Sequence, residues 1–96
     1  MPNPPPGFEW DERKAAWNLR AHGISFAAAA LFEFATALEI EGNDHEEDEV
    51  RLTLLGKISR EICVIVITRR ARNIRVISLR RATAQERRFY IEAKNY

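Results

Sequence analysis

The sequence predicts an α+β domain, on three observations. Val50–Leu54 alternates apolar and polar side chains, and Ile62–Thr68 is a continuous apolar, mostly β-branched run; both have the character of strands. Helix-start signals stand on either side of them, at Asp11-Glu12 and at Thr83-x-x-Glu86. The 96 residues fit one domain, and a domain of this size buries only about two-thirds of its unfolded surface, so its margin of stability is small.

Residues 1–7 are proline-rich and read as a flexible tail, with one domain over residues 8–96. Phe8-Glu9-Trp10 suits a short edge strand or an anchor against the core. Asp11 caps a helix running to about His22, with Ala15, Ala16 and Leu19 on its buried side and Gly23 as its stop. Ser25 caps a second, alanine-rich helix from Phe26 to about Phe34, where small side chains allow close packing. Residues 37–41 suit a first strand, followed by an acidic loop to Glu49. Val50–Leu54, Ile62–Thr68 and Ile74–Leu79 are the following strands, joined by turns over residues 56–61 and 69–73. Thr83 and Glu86 then form the capping box of a last helix that ends near Lys94. The expectation is two N-terminal helices, a three- to four-stranded antiparallel meander and a C-terminal helix.

In the central strand Cys63, Ile65 and Ile67 face one way, and Ile62, Val64 and Val66 the other. Both faces need cover. Three short helices suffice for one face and part of the other, which leaves the remainder to a partner. Cys63 is the only cysteine and reads as a buried small hydrophobe, not a nucleophile. Trp10 and Trp17 read first as core packing and second as interface residues. Tyr90, on an amphipathic helix, reads as core.

A net charge of +1 conceals a strong asymmetry. Residues 1–48 carry three basic and ten acidic side chains, and residues 49–96 twelve basic and four acidic. Eight arginines fall between Arg69 and Arg88 with a single acid, Glu86, which points to a polyanion or an acidic partner. No apolar stretch reaches the roughly 18 residues needed to span a bilayer, and the N-terminus lacks the pattern of a secretory signal. A cytoplasmic protein without membrane contact is expected. Phosphate-binding glycine loops, CxxC pairs and nucleophile elbows are absent. His45, among Asp44, Glu46 and Glu47, has no metal-ligand spacing to His22 and reads as solvated loop, so no cofactor is expected.

Several strings resemble one family. They are Phe8-Glu9-Trp10-Asp11 with Lys14; Asn18 with His22-Gly23-Ile24-Ser25-Phe26; Asp44-His45 with Glu49 and Arg51; Thr68 with Arg70; and Ile74-Arg75-Val76-Ile77-Ser78 leading to Arg80, Ala82, Glu86, Arg87 and Tyr90. In this order and spacing the chain resembles the BrnT toxins of bacterial toxin–antitoxin pairs. The resemblance implies a RelE-like fold and a ribonuclease that shuts down translation. It also implies neutralisation by a BrnA-like antitoxin, in a complex of two toxins and two antitoxins. Ala21, Phe34-Ala35 and Leu79 depart from the family's usual residues.

Metal-independent RNA cleavage through the 2′-OH requires a base, an acid and cations around the charged phosphorane. Arginine suits the last role, because its planar fork matches phosphate oxygens and keeps its charge. Arg70 and Arg80 fall at matching family positions and are the leading catalytic candidates. Antiparallel pairing of their strands would nevertheless set them at opposite ends. Lys14 is a phosphate binder or proton donor, or else solvated. His22 is a proton-transfer group or a cap at its helix end. Glu49 is a base or, better, the ion-pair partner of Arg51. Arg69, Arg72, Arg75, Arg81 and Arg87 are candidate RNA contacts. The alternative is a non-catalytic RNA-binding or protein-interaction module with a basic face.

Overall fold

The computed structural model describes residues 7–41 and 50–95. The proline-rich segment 1–6 and the acidic residues 42–49, Asp44, His45 and Glu49 among them, lie outside the described residues. The elements are β1 (Phe8–Glu9), α1 (Glu12–His22), β2 (Leu38–Ile40), β3 (Arg51–Ile58), β4 (Glu61–Arg70), β5 (Asn73–Arg81) and α2 (Ala84–Lys94), with 3-10 turns at Phe26–Leu31 and Phe34–Thr36. They form one mixed sheet in the order β1-β5-β4-β3-β2.

The meander is present as expected, from β2 through β5, every neighbour antiparallel. The strand number is larger than expected, and the sheet is not wholly antiparallel. Phe8 and Glu9 pair parallel with Ile74 and Arg75, and the Ile74 N–H donates to the Gly7 carbonyl at 2.8 Å. The short edge strand expected at Phe8-Glu9-Trp10 is thus present over Phe8–Glu9, but its parallel pairing is not a local signal, since its partner lies 66 positions away. β3 and β4 also run further than their apolar cores suggest. Their turns shrink to two residues each, with Ser59 (φ 56°) and Ala71 (φ 54°) in the left-handed region that glycine occupies without strain.

The second helix is the other correction. Phe26–Leu31 is a 3-10 helix, capped by the Ser25 side chain, which accepts from the Ala27 N–H at 3.1 Å. It cannot lengthen into an α-helix because the next residues join the sheet. Phe32 bridges to Ile58, and the Glu33 N–H donates to the Lys57 carbonyl at 2.9 Å. Short helical runs tolerate the tighter 3-10 winding. Gly56 of β3 makes this junction possible. A Cβ there would stand 2.7 Å from Phe32 Cζ and 3.2 Å from Ala37 Cβ. Gly56→Ala should cost about 1–3 kcal/mol by overpacking, read as a lower urea midpoint with an unchanged slope.

The centre of the fold is β4, buried from Ile62 to Thr68. On the first face Cys63, Ile65 and Ile67 pack with Val76 and Leu79 against Ala15 of α1 and Phe26, Ala29 and Phe32. On the second, Ile62 and Val64 pack with Leu55, Ala82 and Tyr90 of α2. The two-faced reading of β4 thus holds, as do the core assignments of Cys63 and Tyr90. Burial, and then the nearby charge of Glu61, push the Cys63 thiol above its ordinary pKa. α2 carries both bonds of the Thr83–Glu86 capping box. Among the described residues no helix is long and apolar enough to cross a membrane.

α1 turns differently from expectation. It buries Ala15 and Asn18, and leaves Leu19 and Trp17 outside, at 51% and 60% exposure. Trp10 lies before the helix and packs on Phe26 edge-on, ring centres 6.0 Å apart. The core reading therefore suits Trp10 and fails for Trp17.

Candidate nucleic-acid interface

Strand register sorts the cations. Residues paired across β4 and β5 share a face. Arg80 is opposite Val64, Ser78 opposite Val66, and Arg75 opposite Thr68, so all three side chains belong to the second face, with Val64. Arg70 is opposite Asn73 on that same face, at its far end. A bulge keeps this pattern in phase: Val66 pairs with Ser78 but Ile67 with Val76, which makes Ile77 the extra residue. Arg81 and Arg69 belong to the first face. Arg72 is exposed in the β4–β5 turn, and Arg87 sits on α2, donating to the Ala82 carbonyl at 2.9 Å.

Arg70 and Arg80 do not converge. Asn73, opposite Arg70, lies seven positions along β5 from Arg80, roughly 23 Å at about 3.3 Å per residue. Arg75, Ser78 and Arg80 form the shorter strip, roughly 16 Å from end to end by the same measure.

Each end of this strip is organised by a carboxylate. Arg80 donates to both oxygens of Glu86, at 2.8 and 3.0 Å. Its Nη1 also reaches the Arg81 carbonyl at 3.3 Å. A guanidinium has five N–H donors, so about two remain for a ligand. The Arg80 hydrogen bond is the main reason Glu86 is held down at a pKa of about 2, with the Thr83 backbone bond adding to it and burial opposing it. The same bond raises Arg80 above its ordinary value. Glu86 contributes stability that is fully present above its unfolded pKa near 4.5 and is lost as pH falls through about 2. Between those values unfolding should become easier for the wild type, and less so for Glu86→Gln, as urea midpoints would record.

At the other end Glu9 of β1 accepts from Asn73 Nδ2 at 3.1 Å and from Arg75 Nη1 at 2.9 Å, with Arg70 at 3.8 Å. The Asn73 and Arg75 bonds hold the Glu9 carboxyl below its ordinary range. Glu9 stands in the Phe8-Glu9-Trp10-Asp11 string, but its organising role rests on partners 64 to 66 residues away. Arg81 pairs with Glu61 at 2.6 Å, both side chains more than half exposed, a pair of little energetic weight.

Lys14 and His22 lie on α1, whose packing is on the first face. They do not join the Arg75–Arg80 strip. The His22 carbonyl accepts from Arg81 Nη1 at 3.4 Å, and the His22 ring packs perpendicular to Trp17 at 5.8 Å. Beneath them Asn18, 1% exposed, accepts from the Leu79 N–H at 3.2 Å. Its Nδ2 donates to the Leu79 carbonyl at 2.7 Å and to the Ile24 carbonyl at 3.2 Å. The asparagine amide thus takes the place of a neighbouring strand on the β5 edge, beyond the reach of β1. Arg13, Lys14, Trp17, Asn18, Ile77 and Ser78 line a cleft of about 410 Å³ along that edge. Among the described residues no three His, Cys, Asp or Glu side chains are grouped so as to hold a metal ion.

No curated protein matches the chain. The profile of the family described as "Ribonuclease toxin, BrnT, of type II toxin-antitoxin system" matches residues 10–86. That span takes in α1, the meander with its Arg75–Arg80 strip, and the start of α2. A match over most of the sequence, joined to a folded sheet that presents the arginines of the family strings, means that the chain belongs to the BrnT family of type II ribonuclease toxins.

Proposed function

We propose that this protein is the toxin of a bacterial toxin–antitoxin pair, an endoribonuclease with a RelE-like fold that cuts RNA in the cytoplasm and stops translation. The family is one of ribonuclease toxins, and an antitoxin goes with it. A BrnA-like antitoxin, in a complex of two toxins with two antitoxins, is the expected partner.

The observation that carries the reading is the strip of Arg75, Ser78 and Arg80 on one face of the sheet. Its end groups are held in place by Glu9 and Glu86. Preoriented cations of this kind stabilise charge that develops on a phosphorane without reorganising during reaction. Arg80, with donors to spare, holds the scissile phosphate. Arg75 and Arg70 hold the neighbouring backbone, and Arg69, Arg72, Arg81 and Arg87 add long-range attraction. Lys14 serves as a phosphate contact at the sheet edge, and His22 fixes the adjoining tryptophan. Glu49 is the candidate base, and the reaction proceeds without a metal ion.

One observation favours a second reading, in which the basic face binds RNA without cutting it. Arg70, Arg75, Arg80 and Arg81 each face a carboxylate of the same chain. Incubation of purified protein with RNA in the presence of a chelator, with mapping of the new RNA ends, separates the two. New ends are expected; intact RNA that is nonetheless bound would leave the binding module as the better description.

A further inference from the structure

The cleft between α1 and the β5 edge belongs to neither core cluster, and it sets an exposed indole beside two cations. Its volume, about 410 Å³, lies in the range of small-ligand sites. One wall is Trp17, an indole with 60% of its surface exposed. His22 packs perpendicular to that indole, ring centres 5.8 Å apart, and leaves much of the indole surface open. Arg13 and Lys14 stand beside it. Among the described residues neither forms an ion pair, in contrast to the arginines of the sheet face. Asp11 interacts electrostatically with Lys14, but its side chain is taken up by the Arg13 and Lys14 backbone N–H groups at 2.8 and 3.2 Å. Among the described residues no carboxylate lines the cleft. Its floor is rigid, because the Asn18 amide is committed to Leu79 and Ile24.

We propose that this cleft is a nucleobase subsite, in which an unpaired base of single-stranded RNA stacks on Trp17 while Arg13 and Lys14 hold the phosphate beside it. An aromatic platform flanked by cations is the arrangement by which single strands are held, since every base offers a π-face. Ser78 links the subsite to the reaction strip. It lines the cleft and also lies between Arg75 and Arg80 on the second face. A strand with one base on Trp17 crosses the β5 edge at Ser78 and brings an adjacent phosphate to Arg80. The Trp17 subsite therefore selects where the RNA is cut. An acidic peptide would answer the two cations, but it gives no use to an exposed indole beside them.

The inference rests on the proposed RNA substrate, and the test keeps the two apart. Affinity for a short fluorescein-labelled single-stranded RNA is measured by anisotropy with the full chain carrying Arg80→Ala, so that the probe stays intact. Cleavage sites are mapped separately with Arg80 in place. Trp17→Ala should weaken binding about ten- to a hundredfold and blur the preference among cleavage sites, and Trp17→Phe should retain most of both. Trp17 is exposed, so both variants should fold, which circular dichroism checks. Unchanged affinity and cleavage pattern in Trp17→Ala, with wild type still cutting RNA, would overturn the subsite alone. Loss of binding to the co-expressed antitoxin with RNA affinity unchanged would also overturn it and assign the cleft to the protein partner. A wild type that neither binds nor cuts RNA would overturn the subsite and the proposed function together.

Discussion

Asn18→Ala should be the most destabilising single change on α1, lowering stability by about 3 kcal/mol or more. The side chain is 1% exposed and answers three backbone groups: the Leu79 N–H, the Leu79 carbonyl and the Ile24 carbonyl. Each buried group left without a partner costs about 1–3 kcal/mol. Against a total of about 5–15 kcal/mol for a small domain, that is a large fraction. Urea denaturation measures it; a loss below about 1 kcal/mol would mean that water replaces the amide and that α1 is not pinned to β5 in this way. Asn18→Asp sharpens the test. Its carboxylate would still accept from the Leu79 N–H but would face two carbonyls where the amide donates. Its folded pKa should therefore rise, with a penalty at neutral pH that is relieved as pH falls toward the unfolded value near 4. Asn18→Asp should be less stable than Asn18→Ala at pH 7 and close the gap in acid.

Arg80→Ala should abolish growth arrest and lower RNA cleavage by roughly a hundred- to a thousandfold, the scale for removing one preorganised donor from a transition state. Its effect on folding should be small. The Arg80–Glu86 pair is partly open to solvent, and such pairs contribute about 1 kcal/mol or less. Tyr90 still packs on Leu55 and Val64, and Thr83 still bonds Glu86, so α2 keeps its place without the arginine. Arg80→Lys should fall between, since it keeps the charge and loses the fork. Growth assays beside thermal melts decide the matter: a folded Arg80→Ala protein that still arrests growth removes this residue from the site.

Much of the sheet was legible in the sequence because its signals are local. The β-branched run at Ile62–Thr68 can be satisfied only with cover on both faces, and the Thr83–Glu86 pair closes a cap within one helical turn. What was hidden depends on contacts distant along the chain. A buried asparagine is invisible to a search for apolar periodicity when its partner is strand backbone 61 residues away. Because Asn18 faces inward, Trp17 and Leu19 beside it face out, against the expectation that both are buried. The arginine cluster was visible as composition. Which guanidinium lies on which face was not, since it follows from strand register and from the single bulge at Ile77.

The pairing of Phe8 and Glu9 with Ile74 and Arg75 has a consequence for biosynthesis. The first strand of the sheet to leave the ribosome must wait for the last before it has anywhere to go. Contacts so far apart in the chain are slow to form, and a nascent polypeptide cannot assemble this border of the sheet from its leading end. Until it does, Arg75 lacks the carboxylate that orients it, so the cationic strip reaches its finished state only at the close of folding.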